Sequence, residues 1–183
     1  VVNEIPYRLS EQYFSSNPPI SLDAKIYLIE SKANYLLQFQ GDAVQKQKIA
    51  DDIQKMIVDV FVEANFGGDE ESEFLQKYSG FLTAENYQNR IERLIFDGNF
   101  LAAKRLFGYV DEDYVKLYNA TIKIRKLPKY IRKIALSVPR RLRDDEGLIY
   151  AQLLWRRSRG DADDVVDLML DLGKVKYPHK WWS

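Results

Sequence analysis

The chain has 183 residues, of which 46% are hydrophobic and 30% charged, and its formal net charge is zero. These values are typical of one folded domain with an apolar core, and they exclude a disordered chain and a collagen-like repeat. The chain has no cysteine, which excludes disulfides and thiolate zinc sites, and its single histidine, His179, leaves little scope for an imidazole metal site or a proton relay.

Charge is unevenly distributed along the chain. Residues 1–103 carry 9 basic and 16 acidic side chains (net −7), residues 104–159 carry 15 and 6 (net +9), and residues 160–183 carry 3 and 5 (net −2). Either the three stretches neutralise one another within one fold, or the basic stretch meets an anionic partner such as nucleic acid or a carboxylate-bearing polymer. Nucleic acid is the weaker option, because the chain has no recognisable nucleic-acid-binding motif.

The first helices are predicted from caps and apolar spacing. Ser21 is a predicted N-cap, and apolar residues at helical spacing follow it. Asp42 caps the next helix, where an apolar stripe runs over residues 49–64 with charged residues opposite. Gly67-Gly68 is predicted to end this helix, and a short helix is expected near residues 70–78.

The downstream helices are predicted in the same way. Thr83 and Asp111 are predicted N-caps, and Gly98-Asn99 separates two helices between them. Pro128 is predicted to begin a helix that Pro139 ends, since proline suits the first helical turn. The next predicted helix covers residues 144–157. A further helix is predicted between a cap at Gly160-Asp161 and an end at Gly173, and it contains Val165, Leu168 and Met169. A last helical turn is predicted from Pro178 through Trp181.

The predicted fold class is all-α, because two-residue alternation of apolar and polar side chains never lasts beyond a few residues. The predicted turns fall near residues 98, 127 and 160, and aligning Gly98 with Gly160 matches apolar positions on either side. A repeat of about 30 residues favours a helix-hairpin solenoid, or superhelix, of the tetratricopeptide style, although a compact bundle would give the same segments.

The expected organisation is N-terminal helices over residues 1–66 and helix-hairpin repeats over residues 67–183. The chain does not begin with methionine, and it stops at Trp181-Trp182-Ser183, where we expect the two large indoles to be packed. We therefore expect a fragment of a longer superhelical scaffold domain. No apolar run approaches the roughly 20 residues that span a bilayer, so no membrane span is predicted.

Groups that could catalyse a reaction or bind a cofactor are scarce. The chain has no nucleophile motif with which His179 could act in catalysis. Gly67-Gly68 lacks the lysine of a phosphate-binding loop. The acidic run of residues 69–73 is accounted for by the dipole of a helix start, the alternative being a weak cation site. No catalytic residue, cofactor or metal ligand is predicted.

Aromatic and basic side chains remain as candidates for binding. Trp155 is either packed between helices or exposed in a groove, where an indole binds sugars and other flat ligands. Arg156 and Arg157 follow it directly and are either solvated or placed to meet carboxylates. The sequence leaves both alternatives open.

Residues 138–170 (VPRRLRDDEGLIYAQLLWRRSRGDADDVVDLML), together with Pro178 and Trp181-Trp182, resemble the large helical domain of the soluble lytic murein transglycosylases. In that domain a Val-Pro turn precedes Asp-x-Gly-Leu and a Tyr, and Trp-Arg-Arg, a Gly-Asp turn and Pro with Trp-Trp follow. The matching positions here are Val138-Pro139, Asp145, Gly147-Leu148, Tyr150, Trp155-Arg156-Arg157, Gly160-Asp161, Pro178 and Trp181-Trp182. Residues 74–106 resemble the preceding stretch of the same domain, so the likeness covers residues 74–182.

The resemblance implies a scaffold within a periplasmic enzyme that cleaves the glycan between N-acetylmuramic acid and N-acetylglucosamine and leaves a 1,6-anhydro end. In that family a single Glu in a Glu-Ser context does this, in a separate lysozyme-like domain that is not among these 183 residues. The Glu-Ser pair at Glu71-Ser72 lacks the accompanying Gly-Leu-Met-Gln, so no catalytic residue is carried over.

The expected function is therefore the helical scaffold portion of a peptidoglycan lytic transglycosylase, which supports the catalytic domain and guides glycan strands. The candidate contacts to glycan or peptide are Arg140, Arg141, Arg156 and Arg157, and the expected structural residues are Trp155, Trp181 and Trp182. Expected partners are peptidoglycan, through the parent enzyme, and the enzyme's own C-terminal catalytic domain, in the periplasm; no cofactor or nucleic acid is expected. The alternative is an independent helical-repeat adaptor that binds a protein partner.

Overall fold

The computed structural model describes residues 7–160 and 175–181, and within these ranges the chain forms α-helices and short 3-10 turns without a β-strand. The predicted all-α class is confirmed for this part of the chain. Residues 161–174, which include the predicted helix with Asp161, Val165, Leu168, Met169 and Gly173, lie outside the described residues, as does Trp182. The chain divides into two compact units, and the division falls between Asn86 and Tyr87, inside a helix.

The first unit contains α1 (Tyr7–Ser16), α2 (Leu22–Gln38), α3 (Ala43–Glu63), α4 (Gly68–Tyr78) and the start of α5 (Ala84–Phe96). Two predicted caps are confirmed: the Ser21 hydroxyl accepts the Ala24 amide at 3.2 Å, and the Asp42 carboxylate accepts the Gln45 amide at 2.8 Å. The predicted end of α3 differs, because α3 stops at Glu63 and Gly67 instead serves as the N-cap of α4.

Aromatic side chains join α3 to α4 in the core of the first unit. The Phe61 ring stacks on the Phe74 ring with centroids 6.1 Å apart, and the Phe66 and Tyr78 rings lie 5.0 and 4.8 Å from Phe74. All four residues are buried, together with Ile53, Ile57 and Val60 of the predicted apolar stripe. Ring packing of this kind adds to the free energy gained by burial alone.

The second unit alternates long and short helices. It contains the rest of α5, then α6 (Phe100–Arg105), α7 (Glu112–Arg125), α8 (Arg132–Leu136), α9 (Glu146–Arg157) and α10 (Pro178–Trp181). The long helices α5, α7 and α9 have 13, 14 and 12 residues, whereas α6 and α8 have 6 and 5.

Each long helix of the second unit is followed by a turn that contains a left-handed residue. These residues are Gly98 (φ 79°), Leu127 (φ 53°) and Gly160 (φ 82°), so all three predicted turns are confirmed. Glycine adopts this conformation readily, whereas the Cβ atom of leucine makes it costly by roughly 1 kcal/mol.

The prediction that Pro128 begins a helix is wrong. Residues 127–131 form a loop, and α8 begins only at Arg132. The proline ring disfavours a helical conformation for the residue before it. In addition, the Pro128 carbonyl oxygen accepts hydrogen bonds from side chains of Trp155 and Arg159 rather than from a helical amide.

Helix α9 packs along α7 and contacts the Phe96 side chain at the end of α5, and its inward face begins with small residues. A Cβ atom on Gly147 would lie 3.7 Å from Cε2 of Phe96 and 3.9 Å from Cγ2 of Thr121. Ala151, one turn further along, is fully buried, as is the neighbouring Leu148. These two distances are ordinary van der Waals contacts, and the one tighter distance, 3.2 Å, is to Oδ1 of Asp145, the N-cap of α9 itself. The position of α9 is therefore fixed by contact along this face rather than by the missing side chain of Gly147.

Replacing Gly98 by alanine is expected to destabilise the protein by about 1 kcal/mol, because alanine is strained at a φ of 79°. Gly108→Ala is the matched control: neither glycine has an atom within 4 Å of an added Cβ, and Gly108 does not have a positive φ. The measurement is urea unfolding followed by circular dichroism. Equal loss of stability in the two variants would contradict this account.

Candidate functional site

Arg140 and Arg141 lie in a 3-10 turn, Arg140–Leu142, before α9. The Arg141 guanidinium donates to the Asp113 carboxylate at 3.0 Å and lies over the Tyr114 ring, 5.8 Å from its centroid. Arg140 is exposed and has no ion-pair partner among the residues that the structure describes. Of this pair, Arg140 is therefore the side chain available to a ligand.

Arg156 and Arg157 occupy the last turn of α9, where positive charge interacts favourably with the helix dipole. Arg157 is exposed and pairs with no carboxylate in the described part of the chain, whereas Arg156 is half-buried. Arg157 is therefore accessible to a ligand, and its exposure is compatible with both alternatives that the sequence left open.

Trp155 connects α9 to the loop between α7 and α8. Its indole Nε1 donates to the Pro128 carbonyl at 2.7 Å, and the ring is half-buried. The Arg159 guanidinium lies over the indole face, 5.1 Å from the ring centroid, and donates to the carbonyls of Pro128 and Lys129 at 3.3 Å each. Trp155 is thus packed between elements, as one of the two sequence interpretations proposed.

Trp181 is held by Glu146 at the opposite end of α9. The Glu146 carboxylate accepts three hydrogen bonds: from the indole Nε1 of Trp181 at 2.9 Å, from the Lys176 amide at 2.6 Å and from the Tyr177 amide at 3.3 Å. The Trp181 ring also lies edge-on against Tyr150, with centroids 5.1 Å apart. One carboxylate therefore positions the whole of residues 175–181.

Contacts with α5 complete the attachment of residues 175–181. The Lys176 ammonium lies 2.6 Å from both the Glu92 carboxylate and the Asn89 side-chain oxygen. The Tyr177 ring packs on Phe96 with centroids 4.7 Å apart. Charged and aromatic contacts together hold this segment against α5 and α9.

Asp145 is the N-cap of α9 and a half-buried acid. Its carboxylate accepts the Leu148 amide at 3.0 Å. Burial raises the pKa of this carboxyl to about 6, and the nearby charges of Glu92 and Glu146 act in the same direction, while the hydrogen bonds from the Leu148 and Gly147 amides oppose them. Asp145, Glu146 and Glu92 are called the acidic cluster below.

In the acidic cluster, the raised pKa of Asp145 is typical of a catalytic acid, whereas the contacts of the three carboxylates are structural. A carboxyl group with a pKa near 6 could donate a proton near neutral pH. However, Asp145 is directed at backbone amides, Glu146 at residues 176–181, and Glu92 at Lys176 and the Tyr118 hydroxyl, which lies 3.4 Å away. Structural networks also shift pKa values, and the contacts here are of that kind.

Within residues 7–160 and 175–181, no group of three His, Cys, Asp or Glu side chains is arranged to hold a metal ion. The acidic run of residues 69–73 lies in and after the first turn of α4, where Glu70 accepts the Gly67 amide at 2.6 Å and Glu71 is buried, 3% exposed. No described helix is long and apolar enough to cross a bilayer.

The first unit carries an apolar groove between α1 and α2, with a volume of about 490 Å³. Its lining is almost wholly apolar and includes Leu9, Tyr13, Phe14 and Tyr27. Leu9 and Tyr13 are exposed, so this face is accessible to a binding partner.

The sequence patterns predicted neither the contacts of Glu146 nor the loop between α7 and α8. Glu146 stands beside Asp145 in the resemblance motif, but its partners lie about 30 residues further along the chain, where helical periodicity gives no signal. The loop was not predicted, because a helix was predicted to begin at Pro128 within the same residues. This loop is held by the side chains of Trp155 and Arg159, about 30 residues further along the chain, and no pattern within the loop indicates such contacts.

Comparison of the chain with family models, with curated proteins and with solved structures finds no match in any of the three. The likeness of residues 74–182 to the lytic transglycosylases therefore stays a prediction from the sequence.

Asp145→Asn is expected to stabilise the protein at neutral pH by roughly 2–3 kcal/mol, because the amide keeps the cap and removes the buried charge. The folded-state pKa of about 6 exceeds the ordinary value of 3.8, so the stability that protonation provides is complete below about pH 4 and is lost as the pH rises through 6. The gain in the variant should therefore appear between these pH values. Urea unfolding of both proteins across this range measures it, and a gain independent of pH would contradict the assignment.

Glu146→Ala is expected to raise the hydrogen-exchange rates of the Lys176 and Tyr177 amides by about tenfold or more, because both lose a charged acceptor. Glu112→Ala is the control, since Glu112 is an exposed acid whose one ion-pair partner among the described residues is Lys116. Amide exchange followed by NMR gives both rates. Unchanged exchange in Glu146→Ala would show that other contacts hold the segment.

Proposed function

We propose that this chain is part of a helical scaffold in a peptidoglycan lytic transglycosylase, and that it supports a catalytic domain and guides glycan strands in the periplasm. The observation that carries the proposal is the position of the residues behind the resemblance. These residues cap helices of the second unit, pack between them and connect them through hydrogen bonds, as residues of a scaffold are expected to do.

Individual motif residues have assignable structural roles. Val138 is buried at the turn before Pro139, Asp145 caps α9, and Gly147 lies on the face of α9 that contacts Phe96 and Thr121. Trp155 and Trp181 each donate an indole hydrogen bond to another element. A motif used in this way supports a role in positioning rather than in bond cleavage.

The pattern of long helix, left-handed turn and short helix supports a helix-hairpin solenoid. It occurs at α5 with α6 and again at α7 with α8, and α9 with Gly160 begins it a third time. A helical hairpin buries its apolar face by stacking on its neighbours, and such stacks form extended binding surfaces. The exposed cations Arg140 and Arg157 would meet the carboxylates of peptide stems on such a surface.

The test is binding to insoluble peptidoglycan sacculi together with a peptidoglycan zymogram. The purified chain is expected to bind sacculi and to leave the zymogram uncleared. Arg140→Glu combined with Arg157→Glu should weaken binding by about tenfold, because attraction becomes repulsion at both positions. Lys46→Glu combined with Lys48→Glu, two exposed lysines of α3, is the control with the same change in net charge.

Two results would overturn the proposal. Clearing of the zymogram that is lost in Glu71→Ala would make the chain itself catalytic. Failure to bind sacculi at low salt would remove the guiding role, and reading the gene beyond residue 183 for a lysozyme-like domain with Glu-Ser and Gly-Leu-Met-Gln then decides the supporting role.

A second candidate function is an independent helical adaptor that binds a protein partner. The apolar groove between α1 and α2 favours it, because exposed apolar surface of this kind is typical of docking sites. A stop codon directly after residue 183 would support the adaptor over the scaffold.

A further inference from the structure

The segment that joins α7 to the end of α8, residues 126–136, exposes large apolar side chains. Leu127, Tyr130 and Leu136 are 49%, 72% and 53% exposed. Tyr130 and Leu127 lie in the loop, and Leu136 ends α8. Three large apolar side chains within ten residues are therefore left exposed by the rest of the described chain.

The same segment is strongly basic. Residues 114–143 contain ten lysines and arginines and no aspartate or glutamate. Several of these cations are engaged: Arg125 lies between the Phe100 and Tyr150 rings, and Arg141 pairs with Asp113. The four cations within residues 126–136 are Lys126, Lys129, Arg132 and Lys133, which are all exposed and have no ion pair with a described residue. The uncompensated charge therefore lies in the same segment as the three exposed apolar side chains.

The loop is held in a strained conformation. Leu127 has a φ of 53°, although its exposed side chain gains little from burial in this chain. The Trp155 indole and the Arg159 guanidinium hold the carbonyls of Pro128 and Lys129. At the other end, the Arg143 guanidinium donates to the Leu136 carbonyl at 2.9 Å. The surrounding structure thus fixes a backbone that exposes leucine and tyrosine to solvent.

We propose that residues 126–136 dock on an anionic phospholipid surface. Leu127, Tyr130 and Leu136 enter the boundary between headgroups and acyl chains, and the four cations meet lipid phosphates. Binding to such a surface combines buried apolar area with attraction between basic residues and anionic lipids. Tyrosine is favoured at the same depth.

The exposed leucines favour lipid over nucleic acid. Proteins that bind single strands stack bases on aromatic rings and line the backbone with cations, and aliphatic side chains have no part in that contact. Here two of the three exposed apolar side chains are leucines, one of them in a costly left-handed conformation. The proposal uses no glycan contact and stands apart from the proposed scaffold role.

The experiment is co-sedimentation of the 183-residue chain with vesicles. Vesicles of phosphatidylglycerol and phosphatidylcholine in equal amounts are expected to carry the protein down, whereas vesicles of phosphatidylcholine alone are not. Binding should weaken as salt rises, because headgroup attraction is screened beyond a Debye length of about 10 Å at 0.1 M.

Two sets of variants separate the apolar and the electrostatic contributions. Leu127→Gly relieves the left-handed strain and should fold at least as well as the original chain, yet bind vesicles several-fold more weakly, as should Tyr130→Ala. Lys126→Glu combined with Lys129→Glu should reduce the partition coefficient by about tenfold or more. Lys46→Glu combined with Lys48→Glu in α3 is the control of equal net charge and should bind like the original chain.

Three outcomes would overturn the proposal: no sedimentation with the anionic vesicles at low salt, an equal loss in the Lys46/Lys48 control, or unchanged binding in both Leu127→Gly and Tyr130→Ala. The third outcome, accompanied by tight binding of a labelled single-stranded oligonucleotide, would assign the segment to nucleic acid instead. Circular dichroism of each variant confirms that a loss of binding is not a loss of fold.

Discussion

Helix α9 determines the arrangement of the second unit, through its packing on α7 and its contact with Phe96 of α5. Gly147 and Ala151 form the contact face, and a larger side chain at Gly147 would meet Phe96 and Thr121. Because a helix is rigid, this contact also fixes both ends of α9. Glu146 and Trp155 are separated by roughly 13 Å along the helix axis, and each holds a different segment of chain through hydrogen bonds. Contacts at the two ends of α9 therefore hold other segments of the second unit in position.

Electrostatics follow from the same arrangement. Packing of α9 places Asp145 beside two other acids, and the resulting cost of burial is reduced by two backbone amides at its carboxylate. Lys176 lies against Glu92 and brings positive charge to that cluster. The basic stretch divides into cations that have partners within the unit, such as Arg125, and cations that remain in solvent, such as Lys129. Internal neutralisation and an external basic face thus apply to different residues.

Within the second unit, the residues of the resemblance motif and those of the exposed segment, residues 126–136, differ in their contacts. Residues of the motif, such as Asp145 and Trp155, are occupied by contacts with other elements of the unit. The exposed side chains that could meet a partner include Arg157 of the motif, Arg140, and the residues of the loop that Trp155 supports. A helix that holds loops in defined positions is what a scaffold requires, and the chemistry of those loops decides which surface they meet.

Local chemistry by itself determined the all-α class, the caps at Ser21 and Asp42, and the turns at residues 98, 127 and 160, because each depends on neighbours within a few residues. The tertiary structure decided the rest. Glu146 and Trp155 reach partners about 30 residues away, and the Pro128 carbonyl bonds to side chains of α9 instead of entering a helix. Such contacts form only after α9 has packed on α7, so no pattern along the chain records them.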